Sequence, residues 1–339
     1  MMNTLKTLCL LNGTSGREER VRDYILERLS GKADVTVDPL GNVIAFVRGK
    51  ERAKNKVMLS AHMDEVGFII TGITDEGYLR FDAVGGIDPK VVVGRLVTVG
   101  EEELPGVIGI KAIHLTEGDE GKTVPALSKC MIDIGAASKK DAMQHVCVGD
   151  SAYFVSDYKE LGEHKIKAKA IDDRFGCSVM LDMIDKGVDF DATFAFLVQE
   201  EIGLRGAAAA AYRVAPDYAV VLEATTAADV AGVPDAEKVC AQGEGAVVSF
   251  MDRSTLYDRA LFQDAFALAK EKNIPIQTKT TVAGGNDAGA IHKSGGGVKT
   301  LCVSLPCRYI HSATSVADKR DMTACRAMAE ALLNAYAVC

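Results

Sequence analysis

Five apolar runs, each leading to a histidine or a carboxylate, constrain this chain more than anything else in it. VMLSAH ends on His62, with Asp64 two residues on; KIKAKAI leads to Asp172 and Asp173; TFAFLVQ to Glu200 and Glu201; YAVVL to Glu223; and VKTLCVSLPCRYI to His311. Short runs rich in β-branched and aromatic residues, bounded by polar ones, read as buried strands. Several of the segments between them carry apolar positions at helical spacing, which predicts an α/β domain with an open sheet. In such a sheet ligands bind outside the carboxyl ends of the strands, so these side chains are predicted to converge there.

The residue types then indicate the chemistry. Glu200 and Glu201, side by side after a buried strand, repel each other and resist burial, so a positive charge is expected beside them. Two histidines with several carboxylates and no cysteine form the donor inventory of zinc, cobalt or manganese in a reactive site, not of a closed structural zinc cage. His62 and Asp64 point the same way on an extended chain, so Asp64 can accept a hydrogen bond from the second imidazole nitrogen and fix the tautomer. Neighbouring glutamates point to opposite sides, which leaves one to coordinate and the other to move protons. Taken singly, each motif has an ordinary explanation: a capped turn for His62 and Asp64, a helix cap for Asp172 or Asp173, a core histidine for His311. Their joint occurrence favours the metal reading. His114, His145, His164 and His292 are expected to be unliganded.

A chain of 339 residues exceeds what one core usually supports, which predicts two domains or one domain with a large insertion. Residues 1–66 read as the first part of the α/β domain. Residues 67–160 carry short strands and many glycines and read as an inserted all-β module, with a helix near 138–145. Residues 161–339 complete the α/β domain. Helices are predicted over 3–12 and 17–30, the second capped by Ser15, and over 174–186, 205–212, 256–272 and 318–338, with a hairpin turning at 39–42. A net charge of −8 without a basic stretch argues against nucleic acid as a partner. No segment has the apolar length of a membrane span and no leader pattern opens the chain, which predicts a cytoplasmic protein without a membrane partner. The nine cysteines are scattered, odd in number and without a CxxC pair, as in a reduced protein.

SAHMDEVGF, KAIDDRFGC, QEEIGLRGA, GGNDAGAIH and PCRYIHS, in this order, are similar to motifs of metallopeptidase family forty-two. That family includes glutamyl and deblocking aminopeptidases and tetrahedral twelve-subunit enzymes. The resemblance covers nearly the whole chain, since DAVGGIDPKVVVGRLV, GVIG and IDIGA resemble the family's inserted β domain. It implies a mixed-sheet, zinc-peptidase-like catalytic domain interrupted by a small PDZ-like or barrel dimerisation domain. It further implies two divalent metal ions per subunit, zinc or cobalt foremost and manganese as an alternative, with His62, Asp172, Glu201, Glu223 and His311 as ligands and Asp172 bridging. Glu200 would be the general base, Asp64 would orient His62, and a metal-bridging hydroxide would attack the peptide. Glu223 departs from the pattern, where many members carry Asp; Asp229 is the substitute candidate. Gly284, Gly285 and Asp287 are expected to shape the pocket wall. The implied partners are peptide substrates and further copies of the chain, as dimers assembling to a dodecamer. Two alternatives stand beside this: a related two-metal deacylase or carboxypeptidase, for which His114 or His145 would supply a catalytic histidine, and an inactive metal-binding assembly protein.

Overall fold

A mixed sheet runs through the centre of the computed structural model, which describes residues 1–116, 118 and 120–339. The chain opens with helices α1 (Met2–Leu10) and α2 (Glu19–Leu29), followed by β1 (Asp34–Val37), β2 (Val43–Val47) and β3 (Val57–His62). β1 and β2 form the predicted hairpin. Asp38 Oδ1 accepts from the amides of Leu40, Gly41 and Asn42 at 2.9–3.1 Å, a turn built on an aspartate side chain, and Gly41 takes the positive φ that the turn needs. Ser15 does not cap α2, whose first residues have no side-chain cap; its hydroxyl is engaged elsewhere, as described below.

After β3 the chain enters a closed antiparallel barrel of β4 (Gly67–Ile73), β5 (Leu79–Val84), β6 (Leu96–Val99), β7 (Leu104–Gly109), β8 (Met131–Asp133) and β9 (Ser151–Phe154). Its strand order is β4-β5-β8-β7-β6-β9. Closure leaves no open sheet edge, and the barrel has its own core, in which the Phe68 ring meets Phe81 and Phe154 edge-on at 5.0 Å each. The short helix α3 (Lys139–Ala142) lies where predicted, with Ser138 accepting from the Asp141 amide.

Two strands then lead back to the large sheet, β10 (Lys159–Leu161) and β11 (Lys165–Ala168), so that Glu160 pairs with Ile166 there and not within the barrel. The remaining elements are α4 (Ile171–Lys186), β12 (Ala192–Leu197), α5 (Arg205–Val214), β13 (Tyr218–Thr226), β14 (Ala246–Val248), α6 (Arg259–Lys272), β15 (Ile276–Thr278), α7 (Ala288–Ile291), β16 (Lys299–Arg308), β17 (Ser315–Asp318) and α8 (Lys319–Val338). α6 starts three residues later than its apolar spacing suggests, because Asp258 caps it by accepting from the amides of Ala260 and Leu261. Among the described residues, no helix is long and apolar enough to cross a membrane.

Across the sheet the order is β1-β2-β12-β3-β13-β16-β17-β11-β10, with β14 against β16 and β15 against β14. The middle strands β12, β3, β13 and β16 are parallel; β2, β17 and β14 run antiparallel to the middle strands they join, and β15 is parallel to β14. The parallel strands are almost wholly buried because α4 packs on β3 and β13 while α8 covers β16 and β13. Two details depart from a simple row of strand ends. Glu223 lies inside β13, which pairs with β3 only over 218–221 and then continues along β16 to Thr226. Asp172 stands four residues beyond β11, at the start of α4.

Candidate metal centre

Adjacent acids at the head of α4 divide two tasks. Asp173 Oδ1 accepts from the Gly176 amide at 2.8 Å and so caps the helix. Asp172, joined to it by a cis peptide, is left to face the sheet edge. Gly176 is required for this approach, since a Cβ there would meet the Asp173 carboxylate at 2.4 Å and Ala61 of β3 at 2.7 Å.

Asp172 holds the centre of the cluster. Its Oδ1 lies 3.3 Å from His62 Nε2 and its Oδ2 lies 3.2 Å from His311 Nε2. A glutamate stands beside each histidine: Glu223 Oε1 is 3.5 Å from His62 Nε2, and Glu201 Oε2 is 3.4 Å from His311 Nε2. Two groups of three possible metal donors result, His62–Asp172–Glu223 and Asp172–Glu201–His311, each with its donor atoms within 4.8 Å of one another. Glu200 joins His62 and Glu201 in a third such group. The donor set fits divalent cations by its chemistry and by one orphaned atom: Glu223 Oε2 is buried with no hydrogen-bond partner among the described residues.

A second layer of contacts holds these side chains. His62 Nδ1 faces the Asp64 main-chain oxygen at 3.1 Å and the Asp64 carboxylate at 3.4 Å. The carboxylate itself chiefly accepts from the Glu200 amide at 3.0 Å, the Glu201 amide at 3.1 Å and the Ser15 hydroxyl at 2.6 Å. Asp64 therefore touches His62 and also ties down the backbone of both glutamates. His311 Nδ1 meets the Gly86 carbonyl at 2.8 Å, so the segment after β5 reaches into the centre. Below the cluster, Arg174 is fully buried and donates to the carbonyls of Leu8, Leu11 and Gly13, which pins the end of α1 beneath α4.

Without metal, protons balance the acidic charge. Burial pulls the His62 imidazole down, but Asp172, Asp64 and Glu223 together hold its pKa well above the ordinary value. Burial likewise opposes the charged form of His311, yet Asp172 and Glu201 push it up to about 9. Asp172, facing both imidazoles, is held below the usual carboxylate range against the effect of burial. Glu201 is pushed up to about 8 by burial with help from Asp172, against the pull of His311, and burial also raises Glu200 and Glu223. Metal binding at such a site must release these protons.

Other candidates fall outside the cluster. The Asp229 carboxylate is taken by Arg308, at 2.6 and 2.8 Å, and by the Gln242 amide. Its partners leave it committed to an ion pair away from the donors. Gly284 and Gly285 line the cavity beside the donors together with Asn286, while Asp287 is buried with neither carboxylate oxygen bonded among the described residues. None of His114, His145, His164 and His292 enters a donor group among the described residues. Ser15, Gly86, Lys279 and Asn286 were missed from sequence. The Gly85-Gly86 pair at a strand end was the one available signal, since a glycine doublet often marks a close approach; a Cβ on Gly85 would meet Val66 at 2.8 Å and Glu201 at 3.2 Å.

An acidic, histidine-containing donor cluster at the carboxyl edge of parallel strands marks the class of α/β proteins whose site is suited to divalent metal. Comparison with known proteins narrows the class. The family model for M42 glutamyl aminopeptidase matches residues 41–328. A putative aminopeptidase of Acetivibrio thermocellus is 39% identical over 328 residues, 95% of each chain. Among solved structures, an aminopeptidase from the archaeon Desulfurococcus kamchatkensis superposes with a TM-score of 0.92 at 34% identity, covering 97% of this chain and 93% of that one. The Pyrococcus horikoshii TET1 peptidase, which can assemble into a tetrahedron or a large octahedral shell, gives 0.85 at 36% identity over 98% of each. The chain belongs to the M42 family and is an aminopeptidase of the TET-like kind.

Proposed function

We propose that the protein removes N-terminal residues from peptides using two divalent metal ions per subunit. The observation that carries this reading is the pair of Asp172 oxygens, each facing its own histidine, with a separate glutamate on either side. His62, Asp172 and Glu223 would hold one ion; His311, Glu201 and Asp172 the other. Zinc and cobalt suit this set best, with manganese compatible. Bound there, the ions would polarise the scissile carbonyl and make water nucleophilic near neutral pH.

The chain's own residues supply the remaining work. Glu200 lines the cavity next to ligand Glu201, and its amide is fixed by Asp64. Its carboxylate takes a proton from the attacking water and delivers it to the amine that leaves as the C–N bond breaks. Burial favours the protonated form of Glu200 and so its proton-donating half of this cycle. Asp64 positions both His62 and the Glu200–Glu201 backbone.

The barrel serves in this reading as the dimerisation unit of a dodecamer, with the insertion running from Gly67 to just before β10 and the segments on either side of it forming the catalytic domain. The assembly named for the Pyrococcus horikoshii relative and the outward-facing Ile113, Leu115 and Val148 of the insertion support it. The nine free cysteines, seven of them buried, fit a reducing compartment, which we take to be the cytoplasm.

Metal-stripped protein reloaded with cobalt, zinc or manganese is expected to cleave free-amine peptides from a panel; silence under all three metals would sink the reading. Glu200→Gln should lose turnover by at least about a hundredfold while keeping its metal. Loss of metal in that variant would mean that Glu200 and Glu201 have exchanged roles.

A further inference from the structure

Four consecutive amides lead from the end of β12 into the two glutamates, and each donates to a side chain. Val198 donates to Asn42 Oδ1 at 3.0 Å, Gln199 to Glu18 Oε1 at 3.1 Å, Glu200 to Asp64 Oδ1 at 3.0 Å and Glu201 to Asp64 Oδ2 at 3.1 Å. Within a helix or strand such donors would meet backbone carbonyls, so here side chains from three other segments set the course of the main chain. Gln199 is the sharpest point of this stretch. Its φ is +57°, a left-handed conformation that a residue other than glycine keeps only when its surroundings hold it. The Glu18 carboxylate holds its amide.

Glu18 is itself a fixed anchor. It is 6% exposed at the head of α2, and the same Oε1 accepts from the Gly16 amide at 2.8 Å. The loop before it is fastened on two sides. Ser15 donates to Asp64 at 2.6 Å, while Asn12 Nδ2 reaches Glu103 of the β6–β7 turn at 2.8 Å and the Thr14 hydroxyl meets that of Ser151 in β9 at 3.2 Å. Burial, with the Asp64 charge beside it, pushes the Glu18 pKa up to about 7, and either protonation state keeps an oxygen that can accept.

We propose that Glu18 is a positioning residue for the reaction: by holding the Gln199 amide it sets where the Glu200 carboxylate stands against the attacking water. The inference rests on the aminopeptidase reading above, in which Glu200 moves the proton. Glu18 neither lines the cavity nor joins a donor group among the described residues, so its loss leaves the metal donors in place. Asp64 differs, since it also touches His62. Length and acceptor oxygen, not charge, decide the effect of a substitution at 18. Gln keeps both; Asp keeps the charge but falls one methylene short of Gln199.

The test compares wild type with Glu18→Ala, Glu18→Asp and Glu18→Gln as full-length, cobalt-reloaded protein, on the panel peptide that wild type cleaves fastest. Small displacements of a catalytic group are costly, so kcat should fall by about ten- to hundredfold in Glu18→Ala and Glu18→Asp, with KM within about threefold of wild type and metal content unchanged. Glu18→Gln should stay within about fivefold of wild type. If Glu18→Ala does not fold, Glu18→Asp against Glu18→Gln carries the same contrast. Hydrogen exchange read by mass spectrometry reports it without turnover: residues 198–201 should exchange at least about tenfold faster in Glu18→Ala and Glu18→Asp than in wild type and Glu18→Gln, while α8 keeps its protection. That exchange pattern in a protein that cleaves nothing in the panel supports the hold of Glu18 on Gln199 and overturns the aminopeptidase reading. A kcat within about threefold of wild type in Glu18→Asp, a fall in kcat matched by loss of metal, or exchange at 198–201 no faster than in wild type overturns the role of Glu18.

Discussion

Removing the Asp64 carboxylate should unsettle the centre without deleting a proposed metal ligand. In Asp64→Ala the amides of Glu200 and Glu201 lose their acceptor at 3.0 and 3.1 Å, and the Ser15 hydroxyl loses its own at 2.6 Å. Hydrogen bonds to a charged acceptor are worth roughly 1.5–3 kcal/mol each, and a buried N–H left unpaired costs about 1–3 kcal/mol. Glu200 and Glu201 are only partly buried, so water can replace some of this, which reduces the expected loss to about 2–4 kcal/mol. At about 2.1 cal/mol/K per residue, unfolding a chain of 339 residues carries an entropy of about 0.7 kcal/mol/K, so each kcal/mol moves Tm by about 1.4 °C and the metal-stripped variant should melt about 3–6 °C below wild type. Using the metal-stripped form isolates the hydrogen bonds from ligation. Differential scanning fluorimetry reads the shift, and peptide hydrolysis after cobalt reloading should fall by at least about tenfold, since a displaced Glu200 no longer meets the attacking water. Asp64→Asn keeps the shape and one acceptor and should lie between the two. A metal-stripped Tm within about 1 °C of wild type, with reloaded activity within about threefold, would refute the role given to Asp64.

Two further outcomes follow from the site. Glu223→Asp should keep two ions per chain, because its charge is retained, whereas Glu223→Ala should lose one by elemental analysis; full metal content in Glu223→Ala would remove Glu223 from the ligand set. The second concerns pH. Glu201 at about 8 and His311 at about 9 both lie above their ordinary values of 4.5 and 6.5, so between about pH 6 and 9 the folded metal-free protein binds more protons than the unfolded chain and loses stability as pH rises. The Tm of metal-stripped wild type should therefore fall more steeply from pH 6 to pH 9 than that of Glu201→Gln, and parallel slopes would contradict the assignment.

Local patterning made much of the fold legible. The hairpin around Asp38, the Ser138-capped helix and the apolar strands could be read because the determining residues are neighbours in sequence. The five runs also pointed to side chains that the structure gathers into one cluster, yet two reach it differently from the way the runs suggest. Asp172 arrives from a helix start because Asp173 takes over the capping, a division that the letters DD do not reveal. Glu223 sits inside a strand because β13 outruns β3, which depends on the relative lengths of two strands far apart in sequence. Ser15 looked like a helix cap and instead braces Asp64, 49 residues away. The contact of Gly86 with His311 spans 225 residues, and only the placement of the barrel against the sheet creates it. Contacts of that kind come from packing of whole elements, which no local period encodes.

Asp172, proposed to bridge two cations, is the residue on which the two-metal site depends. Elemental analysis of metal-stripped protein reloaded with excess cobalt, then desalted, tests this most directly in wild type and Asp172→Asn. Two ions per chain in wild type and a loss of both, or of all but one weakly held ion, in Asp172→Asn is the predicted result. One ion per chain in wild type, or two retained in Asp172→Asn, would contradict it.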